Sequence, residues 1–348
     1  MKNISRNKMI TTVGIDLAKG VFHLHGVDAQ GEFVVRKRLN RSKLIEFMAQ
    51  LTTCLVAMEA CGGSHYWARK FEDMGHDVRL ISPQFVKPYV KGNKNDEADA
   101  EAICEAVQRP NMRFVPIKNI EQQDIQSIHR AREQVVCRRT AQGNQIRGLL
   151  MEYGLVIPQG RKVLCGQLPD ILADADNGLS LMFRDLLSGL WEEMIHLEQR
   201  VAEYDLQIET LSKQSEVCQR LMKVPGVGPM VATALVASVA DGKVFKSGRE
   251  MAAWLGLVPR QHSTGGKPKL LGISKRGDTY LRKLIIHGAR AALRWTDKKN
   301  DKRSVWATSL KERRGQNVAA VALANKIVRT AWVLITRNED YQMSTAKI

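Results

Sequence analysis

Two short apolar runs in this chain each end on a carboxylate: Thr12-Val13-Gly14-Ile15-Asp16 and Cys54-Leu55-Val56-Ala57-Met58-Glu59. Apolar, β-branched stretches of this length predict strands buried in a sheet. A carboxylate at the end of such a strand sits where rigid sheet gives way to loop. A third acidic element, Asn95-Asp96-Glu97-Ala98-Asp99-Ala100-Glu101-Ala102, reads as the start of a helix. Residues three apart on a helix share a face, so Asp96 and Asp99 can point at one spot. Acids in a first helical turn also favour the helix dipole on their own account, and Glu97, Glu101 and Glu105 share that explanation.

The surrounding pattern says what these acids are mounted on. Residues 11–17, 20–27 and 32–38 predict three strands, with Gly20 and Gln30-Gly31 as turns. Ser42 to Leu51 reads as a helix with Ser42 as N-cap and Leu44, Ile45 and Met48 as its buried stripe. After the strand ending at Glu59 come Gly62-Gly63, a helix carrying Tyr66, Trp67, Phe71 and Met74, a strand over Asp77 to Ser82, and a loop marked by Pro83 and Pro88. Three antiparallel strands followed by βα units predict an α/β, ribonuclease H-like mixed sheet. In such a fold strand-borne and helix-borne carboxylates together hold two Mg²⁺ ions for phosphodiester chemistry. The candidate ligands are hard oxygen donors, with no His or Cys among them, which suits Mg²⁺, with Mn²⁺ as a substitute.

Residues 121 to 217 predict helices throughout. Leu187, Leu190, Met194, Leu197, Val201, Tyr204, Ile208 and Leu211 recur at spacings of three and four, a coiled-coil seam that could pair within one chain or join two subunits. Pro158 to Asp176 is the expected turn or linker. From Leu221 to about Ile335 a mainly helical C-terminal domain follows. Val224-Pro225-Gly226-Val227-Gly228-Pro229 before an apolar helix has the form of a helix-hairpin-helix. Its Gly226 and Gly228 either let backbone amides approach a phosphate or form a plain packing corner.

Basic residues crowd this end of the chain. The whole carries 53 Lys and Arg against 36 Asp and Glu, a formal charge of +17. Residues 243–302 alone hold 15 Lys or Arg against 4 Asp or Glu, so a polyanion is the expected partner. In Arg260-Gln261-His262-Ser263-Thr264-Gly265-Gly266-Lys267 a hydroxyl lies in a Gly-rich basic loop, a setting for a nucleophile towards phosphorus or for a phosphate-binding turn. Arg260, Lys267, Lys269, Lys275, Arg276, Arg282 and Lys283 are candidate phosphate contacts, and Arg276, Lys283, Arg290 and Arg294 are spaced to share a helix face. Trp254, Tyr280 and Trp295 read as packing residues.

The six cysteines form no CxxC pair, which argues against a zinc site or a disulfide framework, and Cys54 and Cys104 read as core residues. The basic N-terminus, Met1 to Lys8, leads into an apolar run broken by Asp16 and Lys19. No signal peptide or membrane span is expected, and the expected compartment is a bacterial cytoplasm.

Six motifs in order resemble the DEDD transposases of insertion sequences. Gly14-Ile15-Asp16, Met58-Glu59-Ala60 and Asn93-Lys94-Asn95-Asp96-Glu97-Ala98-Asp99-Ala100 are similar to their N-terminal block. Val224 to Pro229, Leu255-Gly256-Leu257-Val258-Pro259-Arg260 and Ile273-Ser274-Lys275-Arg276-Gly277 are similar to their C-terminal block. The resemblance implies a Holliday-junction-resolvase-like (RuvC-like) catalytic domain over 1–118, a helical coiled-coil region over 119–217 and a C-terminal transposase domain over 218–340. It implies Asp16, Glu59, Asp96 and Asp99 as metal ligands, a covalent serine–DNA intermediate, a guide RNA encoded by the element, and a homodimer or tetramer. The family has its serine just before the glycine, where Thr264 stands here, and Ser263 is the expected nucleophile with Thr264 the alternative. Competing readings are a resolvase-type nuclease using water and a non-catalytic DNA-binding protein. A sugar-kinase-like ATPase also begins with a Gly-x-Asp strand, but no second phosphate loop follows.

Overall fold

A computed structural model describes residues 9–90 and 96–342, so Met1 to Lys8 and the Asn93-Lys94-Asn95 part of the acidic motif lie outside the described residues. The chain divides into two compact units, Met1–Glu121 and Gln122–Ile348.

The first unit is a six-stranded mixed sheet covered by helices. β1 (Thr12–Leu17), β2 (Val21–Val27) and β3 (Phe33–Asn40) form an antiparallel meander, followed by α1 (Arg41–Gln50). The helix is capped by the Asn40 side chain, which accepts from the Lys43 amide, and not by the expected Ser42. β4 (Leu55–Glu59), α2 (Ser64–Glu72) and β5 (Asp77–Ile81) follow, with β4 parallel to both β1 and β5. The prolines expected in a loop start short helical turns, α3 (Pro83–Val86) and a 3₁₀ turn at Lys87–Tyr89. α4 (Asp96–Val107) and β6 (Phe114–Val115) complete the order β3-β2-β1-β4-β5-β6.

Strand alternation sorts side chains between the two faces. Val13, Ile15, Val56 and Met58 point into a core with Leu44, Met48, Trp67 and Phe71 from α1 and α2. Each such side chain contributes about 1.5–3 kcal/mol by leaving water. Gly14, Asp16, Ala57 and Glu59 alternate to the other face, where Ala57 packs with Ile103, Ala106 and Val107 of α4. Cys54 and Cys104 are buried, and burial pushes both thiols up to about 11.

The second unit is mostly helical. α5 (Ile120–Met151) and α7 (Leu181–Gln214) run antiparallel, with α6 (Arg161–Ala173) packed against them. The direction follows from paired contacts: Arg132 with Asp205, Arg139 with Glu198, and the Gln142 side chain donating to the Leu190 carbonyl. The seam residues Leu187, Met194, Leu197, Val201 and Ile208 are therefore buried inside one chain.

The rest of the unit comprises α8 (Glu216–Met222), α9 (Pro229–Val239), α10 (Gly248–Trp254), an antiparallel hairpin of β7 (Pro259–Thr264) and β8 (Lys267–Ile273), α11 (Thr279–Leu293), α12 (Lys302–Arg314) and α13 (Gln316–Arg337). α13 is long and apolar enough to pass for a membrane span. Its Ala320, Leu323, Ala324, Ile327 and Val328 nevertheless lie in the main core of this unit.

A buried polar network ties α5, α9 and α11 together. The Thr233 hydroxyl donates to the Pro229 carbonyl at 2.7 Å. Its oxygen, 2.9 Å from His129 Nε2, is then the acceptor for that nitrogen's proton. Nδ1 in turn accepts the Tyr280 hydroxyl at 2.9 Å. Burial, with Arg132 adding to it, holds His129 neutral by lowering its pKa to about 4. Burial likewise pushes Tyr280 up to about 12.

Candidate active site

The first unit gathers its candidate acids at one end of the sheet. In β1 and β4 the parallel register runs Gly14 to Ala57 and Ile15 to Met58. One residue further along come Asp16, next to last in β1, and Glu59, the last residue of β4, and both alternate to the α4 side. α4 lies directly on β1: a Cβ on Gly14 would stand 2.3 Å from the Ala100 carbonyl oxygen and 2.6 Å from the Cys104 nitrogen. Only glycine permits that approach, and it brings the first turn of α4, carrying Asp96 and Asp99, towards the end of β1.

The electrostatics follow from that convergence. The Asp16 carboxyl is pushed above the usual aspartate range, first by burial and then by the negative charges of Asp99 and Asp96, while His23 and the Leu17 amide pull it back. The exposed Cys61 thiol is pushed up by desolvation of its sulfur and then by Glu59 and Asp16, so these two acids act on one point.

Sequence reasoning missed His23. It sits opposite Asp16 in the β1–β2 register, and its Nε2 lies 3.7 Å from Asp96 Oδ2, an ion pair when the ring is protonated. The signal was available in the strand pairing, since a histidine seven residues after Asp16 faces it across a tight meander.

Among the described residues no three His, Cys, Asp or Glu side chains stand close enough to hold one metal ion as they are placed. The donor set still fits a hard divalent cation. It is all oxygen, anchored on two strand ends and a helix, and its members repel one another, which is what a cation relieves.

In the second unit the loop expected around Ser263 is a hairpin whose strands are exposed along almost their whole length. Gly265 and Gly266 make its two-residue turn with φ of 58° and 75°, the left-handed region that such turns require. His262 pairs with Lys269 and Thr264 with Lys267, so these four share a face, while the register shifts at Arg260. Ser263 alternates to the other face, where its Oγ accepts a hydrogen bond from Gln261 Nε2 at 2.7 Å.

The remaining candidates divide. Arg282 is buried, and its guanidinium donates to the carbonyls of Leu255 and Arg276 and to Thr279 Oγ1, so it clamps the chain and has no reach to solvent. Lys283 is ion-paired with Glu133. Lys275 and Arg276 are exposed but precede α11, so the basic helix face is Lys283, Arg290 and Arg294. Gly226 has a packing reason: a Cβ there would lie 2.8 Å from the Gly288 carbonyl oxygen. Gly228 has open space around its Cβ position and caps α9.

Comparison with known proteins adds a name to this arrangement. Residues 218–304 match a family model described as "Transposase IS116/IS110/IS902 family", and residues 13–155 match the DEDD transposase model of IS110 elements, described as "Transposase". A protein of Pseudomonas aeruginosa named a probable family 20 transposase is 51% identical over 334 residues, 96% of this chain and 99% of that one. The transposase for insertion sequence element IS1111A of Coxiella burnetii is 47% identical over 335 residues, 96% of this chain and 92% of its own length. The transposase for element IS1328 of Yersinia enterocolitica is 40% identical, over 94% of this chain and 97% of its own.

Proposed function

The chain belongs to the IS116/IS110/IS902 family of transposases, and on that premise we propose that it cuts and rejoins DNA strands using the carboxylates of its first unit and a hydroxyl on the β7–β8 hairpin of its second. The sheet order β3-β2-β1-β4-β5 supports a ribonuclease H-like, RuvC-like identity for the first unit. The observation that carries the reading is the placement of Asp16 and Glu59 on adjacent parallel strands beneath the first turn of α4, where burial and then Asp99 and Asp96 raise the Asp16 carboxyl. Asp16, Glu59, Asp96 and Asp99 would hold two Mg²⁺ ions, or Mn²⁺ on the same donors. When bound, such ions polarise phosphodiester oxygens and stabilise the charge that develops on them.

In this reading Ser263 Oγ attacks the scissile phosphorus as its proton passes to a base. The bond to one deoxyribose oxygen breaks, and that oxygen takes up a proton. A hydroxyl of the new partner strand then reverses both steps and frees the serine. Arg260, Lys267, Lys269, Lys275 and Arg276 neutralise the phosphates. The α8–α9 turn with Gly228 would act as a helix-hairpin-helix on the backbone. An element-encoded RNA would choose the target, and strand exchange between two DNA partners calls for a dimer or tetramer working beside the DNA in the cytoplasm. The paired α5 and α7 would be the coiled-coil region, and its buried seam leaves subunit contacts to other surfaces.

A second reading makes Thr264 the nucleophile, because the hairpin register favours it: Thr264 shares a face with His262 and the cations, and Ser263 does not. Excision of a plasmid-borne element, with denaturing gels for protein-linked DNA, tests both. Asp16→Asn should abolish cutting and leave DNA binding intact. Ser263→Ala should abolish the protein–DNA adduct and Thr264→Ala only weaken it. The reverse ranking moves the role to Thr264. Free DNA ends accumulating in both variants would replace the hydroxyl by water.

A further inference from the structure

The second unit contains a cleft of about 910 Å³ framed by the starts of α10 and α12, the middle of α13 and the chain after it. Four cations line it: Arg249, Arg303, Lys326 and Arg329. Three carboxylates line it too, and each has a partner of its own. Asp301 caps α12, accepting from the amides of Arg303 and Ser304 at 3.1 Å and from the Ser304 hydroxyl at 2.5 Å. Asp340 pairs with Lys223 at 2.9 Å, and Glu339 lies 3.9 Å from Arg337. Among the described residues none of the four cations forms an ion pair.

They are held together by packing. A Cβ on Gly248 would stand 2.9 Å from the Arg329 Cα, so α10 starts tight against α13 and puts Arg249 in the cleft. Lys326 Nζ lies 3.8 Å from the centre of the Trp306 ring, and Arg303 lies over Tyr341 at 5.8 Å. Burial, and then Arg329 and Arg303, hold Lys326 below the usual lysine range. The Asp301 carboxyl, raised by burial, is lowered on balance by its Ser304 hydrogen bonds and then by Arg303. The cleft thus keeps one more cation than carboxylates, and an anion there relieves the repulsion that Arg329 and Arg303 exert on Lys326. The space far exceeds one phosphate group, and cations beside the Trp332 and Tyr341 rings of the lining are the chemistry that tracks a single-stranded backbone.

We propose that this cleft binds the phosphodiester backbone of a single-stranded stretch of nucleic acid, at a place sharing no residue with the carboxylate site or the β7–β8 hairpin. It rests on the reading above only in taking nucleic acid as the polyanion.

The test uses full-length protein carrying Asp16→Asn, so that nothing is cut, and measures anisotropy of short fluorescent single-stranded DNA and RNA across a salt series. The double variant Arg249→Gln/Lys326→Gln should weaken binding and make the slope of log affinity against log salt shallower by about 1.4, at about 0.7 per lost contact. Lys326→Arg should retain binding, and thermal melting verifies the fold. If the double variant does not fold, Arg249→Gln alone should flatten the slope by about 0.7. A loss on the DNA arm, the RNA arm or both supports the site and names its strand. Unchanged slope and affinity in folded variants overturn the proposal and leave the transposase reading standing, as does a Lys326→Arg loss equal to that of Gln. A parent protein that binds neither strand overturns the proposal, while the excision assay above decides the transposase reading separately.

Discussion

Gly14→Ala tests whether the contact between α4 and β1 sets the geometry of the acids. The added methyl would lie 2.3 Å from the Ala100 carbonyl oxygen, 2.6 Å from the Cys104 nitrogen and 2.8 Å from its Cβ. Two of those atoms are helix backbone, so no rotamer change relieves the clash. Reaching ordinary contact at 3.4 Å moves α4 outward by about 1 Å. Overpacking of this kind costs about 1–3 kcal/mol, which in a unit of this size lowers the melting temperature by roughly 5–15 °C. The larger effect is on the chemistry: Asp96 and Asp99 move with α4 while Asp16 and Glu59 stay on the sheet, and a misplacement of about 1 Å costs on the order of 100-fold in rate. The assay is strand cleavage at a temperature where circular dichroism shows the variant folded. Gly20→Ala, with nothing within 4 Å of its Cβ position, is the control and should retain the parent rate. A Gly14→Ala protein that cleaves at the parent rate would refute the idea that this crossing aligns the four carboxylates.

Two other perturbations follow from the charges. Because the folded state raises the Asp16 pKa, stability is lost as the pH rises from the ordinary 3.8 through the raised folded value and stays lost above it; Asp16→Asn should therefore raise the melting temperature of metal-free protein at neutral pH and remove any further rise on adding Mg²⁺. A lower melting temperature for the variant without metal would contradict the crowding of acids. His129 works in the opposite sense to an acid: its folded pKa of about 4 lies below its ordinary 6.5, so the unfolded chain binds the proton first and stability is lost as the pH falls from about 6.5 through about 4. The loss approaches about 3 kcal/mol and should appear as a falling urea midpoint that flattens in His129→Asn; equal pH dependence in both proteins would exclude His129 as its source.

Much of the first unit was legible because its signals are local. The continuous apolar runs around Ile15 and Met58, each closing on a carboxylate, specify buried strands without knowledge of partners. The three-residue spacing of Asp96 and Asp99 likewise needs only a helix. His23 was overlooked because its place opposite Asp16 follows only when the two expected strands are paired in register, a step beyond reading each strand by itself. The face of Ser263 was hidden for the same reason: a stretch read as loop has no faces, and a hairpin register has two. Arg282 resembled its exposed neighbours in sequence, yet α11 turns it inward onto the Leu255 and Arg276 carbonyls.

The glycines carry the sharper lesson. A glycine in a motif can admit a ligand's backbone or the protein's own, and sequence does not distinguish the two. Gly226, read as a phosphate approach, receives Gly288 of α11, and Gly277 would place a Cβ 2.0 Å from the Trp254 carbonyl oxygen. The C-terminal motifs are thus in part the joints where the second unit's own segments cross. Their loss would unfold the unit before it weakened any contact with DNA, so a phosphate role there has to be argued from open positions such as Gly228 and from the cations, whose side chains reach past the joints.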